Sequence, residues 1–456
     1  MKSITKVRIY ILLIIMLLTV NMSLSAVESE KTDPRLEWFV NAKLGIFIHW
    51  GIYAVNGIAE SWSFFNGQIS YDDYLKQLDG FTAEKYDPEE WAALFKKAGA
   101  RYAVLTSKHH DGVALWDTKM SDLNVVKKTP AGRDLIAPYC EALRAEGLRV
   151  GLYFSHLDWS HPDYASVFNN GGVPGNPNPF AYPEKEDSAA WERFLKFHRG
   201  QIKEISDKFK PDLWWFDGDW ERSSAQWRMP ELRKNILAWQ PRTIINGRMG
   251  EYGDYQTPEQ GVPIVRPDCP WEFCMTINDS WGFQKHDNNH KSAARIIQIF
   301  SECLGLGGNL LLDVGPKADG SITKPQKERL LELGAWIKKH KEAVYPTVAG
   351  LPFGHFYGPT TLTKDRTTIY LYLFDIPKDK ITLKGVRNKI KNIRVVGKNK
   401  ELEFDRSGGA SWLNIPGVLL IDVPKKLLDK YVTVLAVELD GPLDLYHGAG
   451  QAIESN

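Results

Sequence analysis

The sequence predicts a (β/α)8-like barrel over residues 30–346, followed by a small antiparallel β-sandwich domain over 350–445. Three observations lead there. From about residue 44 to 345, short apolar runs alternate with amphipathic helical runs, the pattern of parallel βα units. The polar residues of the apolar runs gather at their C-terminal ends, which in such a barrel open on one common face. After "KKHKEAVYPTVAG" (338–350) the helical runs stop and period-two alternation takes over.

The strands follow in order as "LGIFIHWG" (44–51), "YAVLTSKHHDG" (102–112), "RVGLYFSHLDW" (149–159), "DLWWFDGDW" (212–220), "TIINGR" (243–248), "WEFCMTI" (271–277) and "GNLLLDVGP" (308–316). An eighth is not evident, so an irregular or incomplete barrel is expected. Between the first two strands, "DPEEWAALFKKAGA" (87–100) reads as a helix, with Asp87 as N-cap, Pro88 in the first turn, and Glu89 and Glu90 complementing the dipole. Its Trp91, Leu94 and Phe95 recur at helical spacing and give one face to pack on the sheet. Residues 164–187, rich in Gly, Pro and Asn, read as a long loop on the face where the strands end. In the last domain "TTIYLYLFD", "KNIRVVG" and "YVTVLAVELDG" read as strands.

Lys+Arg 57 against Asp+Glu 56 leaves a net charge of +1, so no global field favours nucleic acid or an anionic membrane as partner. A neutral small molecule fits better, and a content of 12% aromatic residues suits sugar rings as well as a large core. The first residues combine basic "MKSITKVR", apolar "IYILLIIMLL" and small "SLSA" ending at Ala26, which reads as a signal peptide over 1–26. Export is therefore expected, to a periplasmic or extracellular space, or to a lysosomal-type compartment in a eukaryote. With no other apolar run long enough to cross a bilayer, membrane attachment after cleavage is not expected. Cys140, Cys269, Cys274 and Cys303 are too few and too scattered for a disulfide scaffold or a zinc framework.

The strand ends carry His49, His109, His110, Asp158, Asp217 and Arg248. Asp217 follows Trp214, Trp215 and Phe216, where a carboxylate is costly unless it is solvated, paired or functional. Opposed by a second carboxylate, it would suit glycoside hydrolysis, in which one acid protonates the leaving oxygen and another attacks or activates water. The alternative is a plain salt bridge to a nearby arginine.

"KLGIFIHWGIYAV", "ESWSFF", "SKHHDGVALWD", "GLYFSHLDW", "PDLWWFDGDW", "WEFCMTINDSWGF" and "GGNLLLDVGPKADG" together resemble the α-L-fucosidases of glycoside hydrolase family 29, in order and over nearly the whole barrel. The resemblance implies an exo-acting, retaining hydrolase of fucosylated oligosaccharides or glycoconjugates, with a covalent glycosyl-enzyme intermediate, no metal and no organic cofactor. It implies Asp217 as nucleophile and, through "DYQTPEQ" (254–260), Glu259 as acid/base, with Glu272 of "WEF" as rival and Glu251 and Asp254 nearby. It also implies a sugar pocket lined by His49, Glu60, Trp62, His109, His110, Tyr153, Trp215, Arg248 and Trp281. Imidazoles can donate to and accept from sugar hydroxyls, and Arg248 would keep a neighbouring carboxylate ionised. A metal reading of "HHD" is disfavoured, since adjacent histidines lack the i, i+4 spacing of ligands on one helix face. "NDS" at 278–280 fits a glycosylation sequon but is read as pocket-lining sequence. Two other readings stay open: a carbohydrate-binding protein that kept the fold and lost turnover, and a retaining glycosidase for another sugar.

Overall fold

The computed structural model describes residues 33–164, 187–398 and 400–448. The expected signal peptide and nearly all of the 164–187 loop lie outside them. The described residues from Trp38 onward form one compact unit.

Seven strands, β1 (Leu44–Ile48), β2 (Tyr102–Lys108), β3 (Arg149–Ser155), β4 (Leu213–Asp217), β5 (Ile244–Ile245), β6 (Glu272–Thr276) and β7 (Asn309–Val314), form a parallel sheet in the order β5-β4-β3-β2-β1-β7-β6. Apart from Arg149 their residues are all buried, as expected when helices cover one face and a packed barrel interior the other. The helix expected after β1 runs Pro88–Lys97, and Asp87 accepts hydrogen bonds from the amides of Glu89 and Glu90 at 3.0 and 2.9 Å. Gly45 of β1 makes room for the ring of Tyr102, which a Cβ there would meet at 2.4 Å.

Between β5 and β6 the place of an eighth strand is taken by residues 254–260. The Asp254 amide donates to the Ile245 carbonyl at 2.7 Å, Glu272 to that of Gln256 at 2.9 Å, and Cys274 to that of Pro258 at 3.1 Å. Isolated parallel bridges join Asn246 to Tyr255, Gln256 to Trp271 and Glu259 to Cys274. Pro258 has no amide hydrogen to continue a ladder, so the segment closes the barrel without becoming a regular strand.

Beyond the barrel, a six-stranded and a three-stranded antiparallel sheet make the second domain, with the first strand of the larger sheet at Thr347–Ala349. Strands Thr368–Leu373 and Thr433–Leu439 pair antiparallel in its centre. Their alternation separates two cores: Tyr370, Tyr372, Val434 and Ala436 belong to the cluster shared with the barrel, whereas Ile369, Leu371, Leu435 and Val437 belong to the domain's own. Trp336, on helix Lys324–Lys339, donates to the Val432 carbonyl at 2.9 Å, and Arg394 forks onto Glu342 at 2.9 and 2.8 Å. All four cysteines are free thiols.

Candidate active site

The apolar character of β4 ends at Asp217, a buried residue whose side chain emerges at the mouth of the barrel. Gly218 follows with φ 84°, and a Cβ there would meet Leu157 at 2.4 Å, so only glycine lets the chain turn away directly behind the carboxylate. Tyr153, near the end of β3, donates its hydroxyl to Asp217 Oδ2 at 2.9 Å. Arg248, just beyond β5, donates from Nη1 to Asp217 Oδ1 at 2.7 Å.

The same guanidinium donates from Nη2 to Glu259 Oε2. One arginine thus bridges the two carboxylates, each on its own nitrogen, while its carbon lies 4.6 Å from the centroid of the Trp215 ring. Burial alone would lower the pKa of Arg248, but the facing carboxylates of Asp217 and Glu259 outweigh it and raise the value. The asymmetry between the carboxylates matters chemically. The Asp217 side chain is 12% exposed and anchored by two donors, whereas that of Glu259 is 36% exposed and stands on the segment that replaces the eighth strand. A fixed, sheltered carboxylate suits attack on a bound ring, and an accessible one suits proton exchange with a leaving oxygen and with water.

Three histidines complete the floor of the mouth, each oriented by a contact to Nδ1. Asp313 holds His49 at 2.7 Å, Ser61 holds His109 at 2.6 Å and Ser155 holds His110 at 2.5 Å. Because the Ser155 hydroxyl donates to the Leu157 carbonyl at 2.8 Å, it accepts from His110, which assigns the proton to Nδ1. His110 Nε2 is therefore an acceptor; it is buried, lacks a hydrogen-bond partner, and lies 3.7 Å from Asp217 Oδ2. Burial lowers the pKa of all three imidazoles, with Lys108 and Arg248 adding to the effect at His110. Burial, reinforced by Glu60, raises that of Asp313. Neutral imidazoles of this kind can accept from and donate to sugar hydroxyls.

Aromatic rings tie the remaining residues to this centre. Tyr153 stacks on His109 and Trp215 with centroids 5.6 and 5.7 Å apart, and Trp281 lies 4.9 Å from His49. Glu60 accepts from the amide of Gly282, beside Trp281, and burial raises its pKa. Trp62 stands edge-on to His110 at 5.4 Å. All eleven residues expected at a sugar site thus converge on one mouth.

Other acids near the site are engaged in contacts of their own. Glu272, the rival acid, is the first residue of β6, pairs in register with Asn309 at the start of β7, and is fully buried at the floor of the barrel. It accepts from the Tyr102 hydroxyl and, at 2.9 Å, from Trp215 Nε1. Burial pushes its pKa up to about 7 against hydrogen bonds and the charge of Arg248 that lower it. Asp158 is a strand-end acid occupied elsewhere, pairing with buried Lys108 at 2.8 Å. Asp254 binds Arg233 and the Ile245 amide, and Glu251 accepts from the Ser224 hydroxyl at 3.1 Å. Asn278 is 4% exposed and donates to Asp287 at 2.6 Å, a burial that bars a glycan from this side chain in the fold. Asp313, Ser61 and Ser155 were not expected at the site. Asp313 follows the same signal as Asp217, an acid ending an apolar run; the serines give no such signal.

Comparison with known proteins bears on the family and the fold. The family described as Alpha-L-fucosidase matches residues 20–342. An alpha-L-fucosidase of Dictyostelium discoideum is 29% identical over 443 residues, 86% of this chain and 91% of that one. Alpha-L-fucosidase isoenzyme 1 from Paenibacillus thiaminolyticus superposes with a TM-score of 0.80 at 32% identity, covering 89% of this chain and 99% of that one. A GH29 alpha-L-fucosidase of Bacteroides thetaiotaomicron, trapped as a covalent intermediate with 2-fluoro-fucosyl fluoride, superposes at 0.78 with 26% identity, covering 91% and 98%.

Proposed function

The chain belongs to the α-L-fucosidase family of glycoside hydrolases, and on that premise we propose that it is an exo-acting, retaining α-L-fucosidase with Asp217 as nucleophile and Glu259 as acid/base. The observation that carries the reading is the single guanidinium of Arg248 shared by the two carboxylates at the barrel mouth. Such sharing favours the short separation of a retaining pair, about 5–5.5 Å, over the wider spacing that leaves room for water in an inverting one.

In the first step an Asp217 oxygen attacks the anomeric carbon of fucose as the bond to the leaving oxygen breaks and Glu259 gives that oxygen its proton. Arg248 has to release Glu259 before the glycosidic oxygen can reach it. In the second step Glu259 takes a proton from water, whose oxygen attacks the same carbon and frees Asp217, so two inversions give net retention. His49, His109, His110 and Glu60 hold the sugar hydroxyls, while Trp62, Tyr153, Trp215 and Trp281 line the ring and cover its C5 methyl, a gain of about 0.8 kcal/mol for a group of that size. Catalysis belongs to residues 30–346, with 350–445 as an accessory domain, and the signal-like segment 1–26 directs export.

The test is release of free sugar from an aryl α-L-fucoside and from a panel of fucosylated oligosaccharides. Fucose release with α-fucose as first product is expected. No release from either class would leave a binding protein, and release of galactose or xylose from matching glycosides in its place would point to a different glycosidase.

A further inference from the structure

Trp220 lies three residues beyond Asp217, in the short 3-10 turn Asp219–Glu221, and 49% of its surface is exposed. Its neighbours are tied down on both sides. Asp219 accepts from the Gly250 amide at 3.0 Å through Oδ2 and from Trp227 Nε1 at 3.2 Å through its carbonyl. Glu221 accepts from Trp159 Nε1 at 3.3 Å and from the Tyr164 hydroxyl. The exposed indole is thus presented to solvent on a rigid mount. Its ring runs nearly parallel to Trp62, 6.3 Å away at 19°, and edge-on to His110 at 5.8 Å and 88°. It therefore stands at the outer rim of the mouth, separated from Asp217 by His110.

We propose that Trp220 is the platform for the leaving-group sugar, the pyranose unit to which fucose is attached. The inference rests on the fucosidase reading and adds a subsite to it. A substrate whose fucose reaches Asp217 has to leave its next ring at the rim, and an aromatic face held there offers apolar surface to the C–H face of that ring. With 49% of its surface exposed, the indole keeps apolar area that a second ring can cover.

The test compares kcat/KM of wild type, Trp220→Ala and Trp220→Phe on fucosyl fluoride, whose leaving group has no ring, and on the fucosylated oligosaccharide that the wild type cleaves fastest. In Trp220→Ala the ratio of oligosaccharide to fluoride activity is expected to fall about 10- to 100-fold, mostly through KM, and in Trp220→Phe much of it should return. Fluoride turnover also reports that the variant has folded. An equal loss on both substrates, or no loss on the oligosaccharide, overturns the platform. A wild type inert towards both substrates would instead overturn the fucosidase reading itself.

Discussion

The floor and the mouth of the barrel each hold a glutamate, and the two differ in everything but residue type. Glu272 at the floor is fully buried, accepts from Tyr102 and Trp215, and has its pKa pushed up to about 7 by burial. Glu259 at the mouth has a side chain 36% exposed, paired with Arg248 and linked through it to Asp217. A raised pKa near neutrality is what a general acid needs, yet Glu272 stands where no glycosidic oxygen can come. Geometry decides before acidity does. Glu272 instead anchors the indole on whose face Arg248 lies, and Arg248 bridges Asp217 and Glu259.

The sharpest way to break the contrast is at the nucleophile. Asp217→Ala is expected to lower turnover of an aryl fucoside by about 10⁴-fold or more. Azide should restore part of it by occupying the vacated space and attacking from the same face, giving a fucosyl azide of inverted configuration detectable by NMR. A variant retaining wild-type rates would remove Asp217 from the mechanism.

Next comes Glu259→Ala, for which kcat/KM on oligosaccharides should fall by about 10²–10⁴-fold, and much less on fucosides with activated leaving groups that need no proton. With an activated substrate, a burst followed by slow turnover is expected, because water then lacks its base and the intermediate accumulates. If Glu272→Ala shows this dependence on leaving group and Glu259→Ala does not, the roles assigned to floor and mouth are reversed.

The smallest effect belongs to Glu272 itself. Glu272→Ala leaves the Tyr102 hydroxyl and the Trp215 N–H without their acceptor, at about 1–3 kcal/mol each, so Tm should fall by several degrees while activated and poor substrates lose rate alike. Glu272→Gln keeps one acceptor and should lose less. The pH dependence supplies a separate check. The folded pKa is about 7 against 4.5 for an ordinary glutamate, so between those values the fold keeps a proton that the unfolded chain has lost. The stability contributed by this group is complete below about pH 4.5 and is lost as pH rises through about 7. In denaturant titrations across that window, the stability of wild type should decline relative to that of Glu272→Gln; parallel curves would mean that Glu272 does not hold its proton in the fold.

The mouth was legible in the sequence because its residues follow one rule, an apolar run ending in a polar side chain, and the rule placed Asp217, His49, His109 and Arg248 on one face. Applied strictly, it also separates Glu272, which begins its run, from the residues that end theirs. It misreads Asp158, whose partner Lys108 lies 4.6 Å from the Phe154 ring centroid in a buried pair that no local pattern announces. The closing segment 254–260 was unreadable as a strand for a physical reason. It is polar, contains Pro258, and owes its extended form to hydrogen bonds from chains on both sides. The resemblance to a family, rather than periodicity, singled out Glu259 there.

The measurement that bears most directly on the division of labour at the mouth is covalent trapping of the enzyme with 2-deoxy-2-fluoro-fucosyl fluoride, whose fluoride departs without acid help while the neighbouring fluorine slows hydrolysis. Digestion and mass spectrometry should find a single fluorofucosyl group, carried by Asp217. A label on Glu259, on Asp219 or on Glu221 would contradict the account.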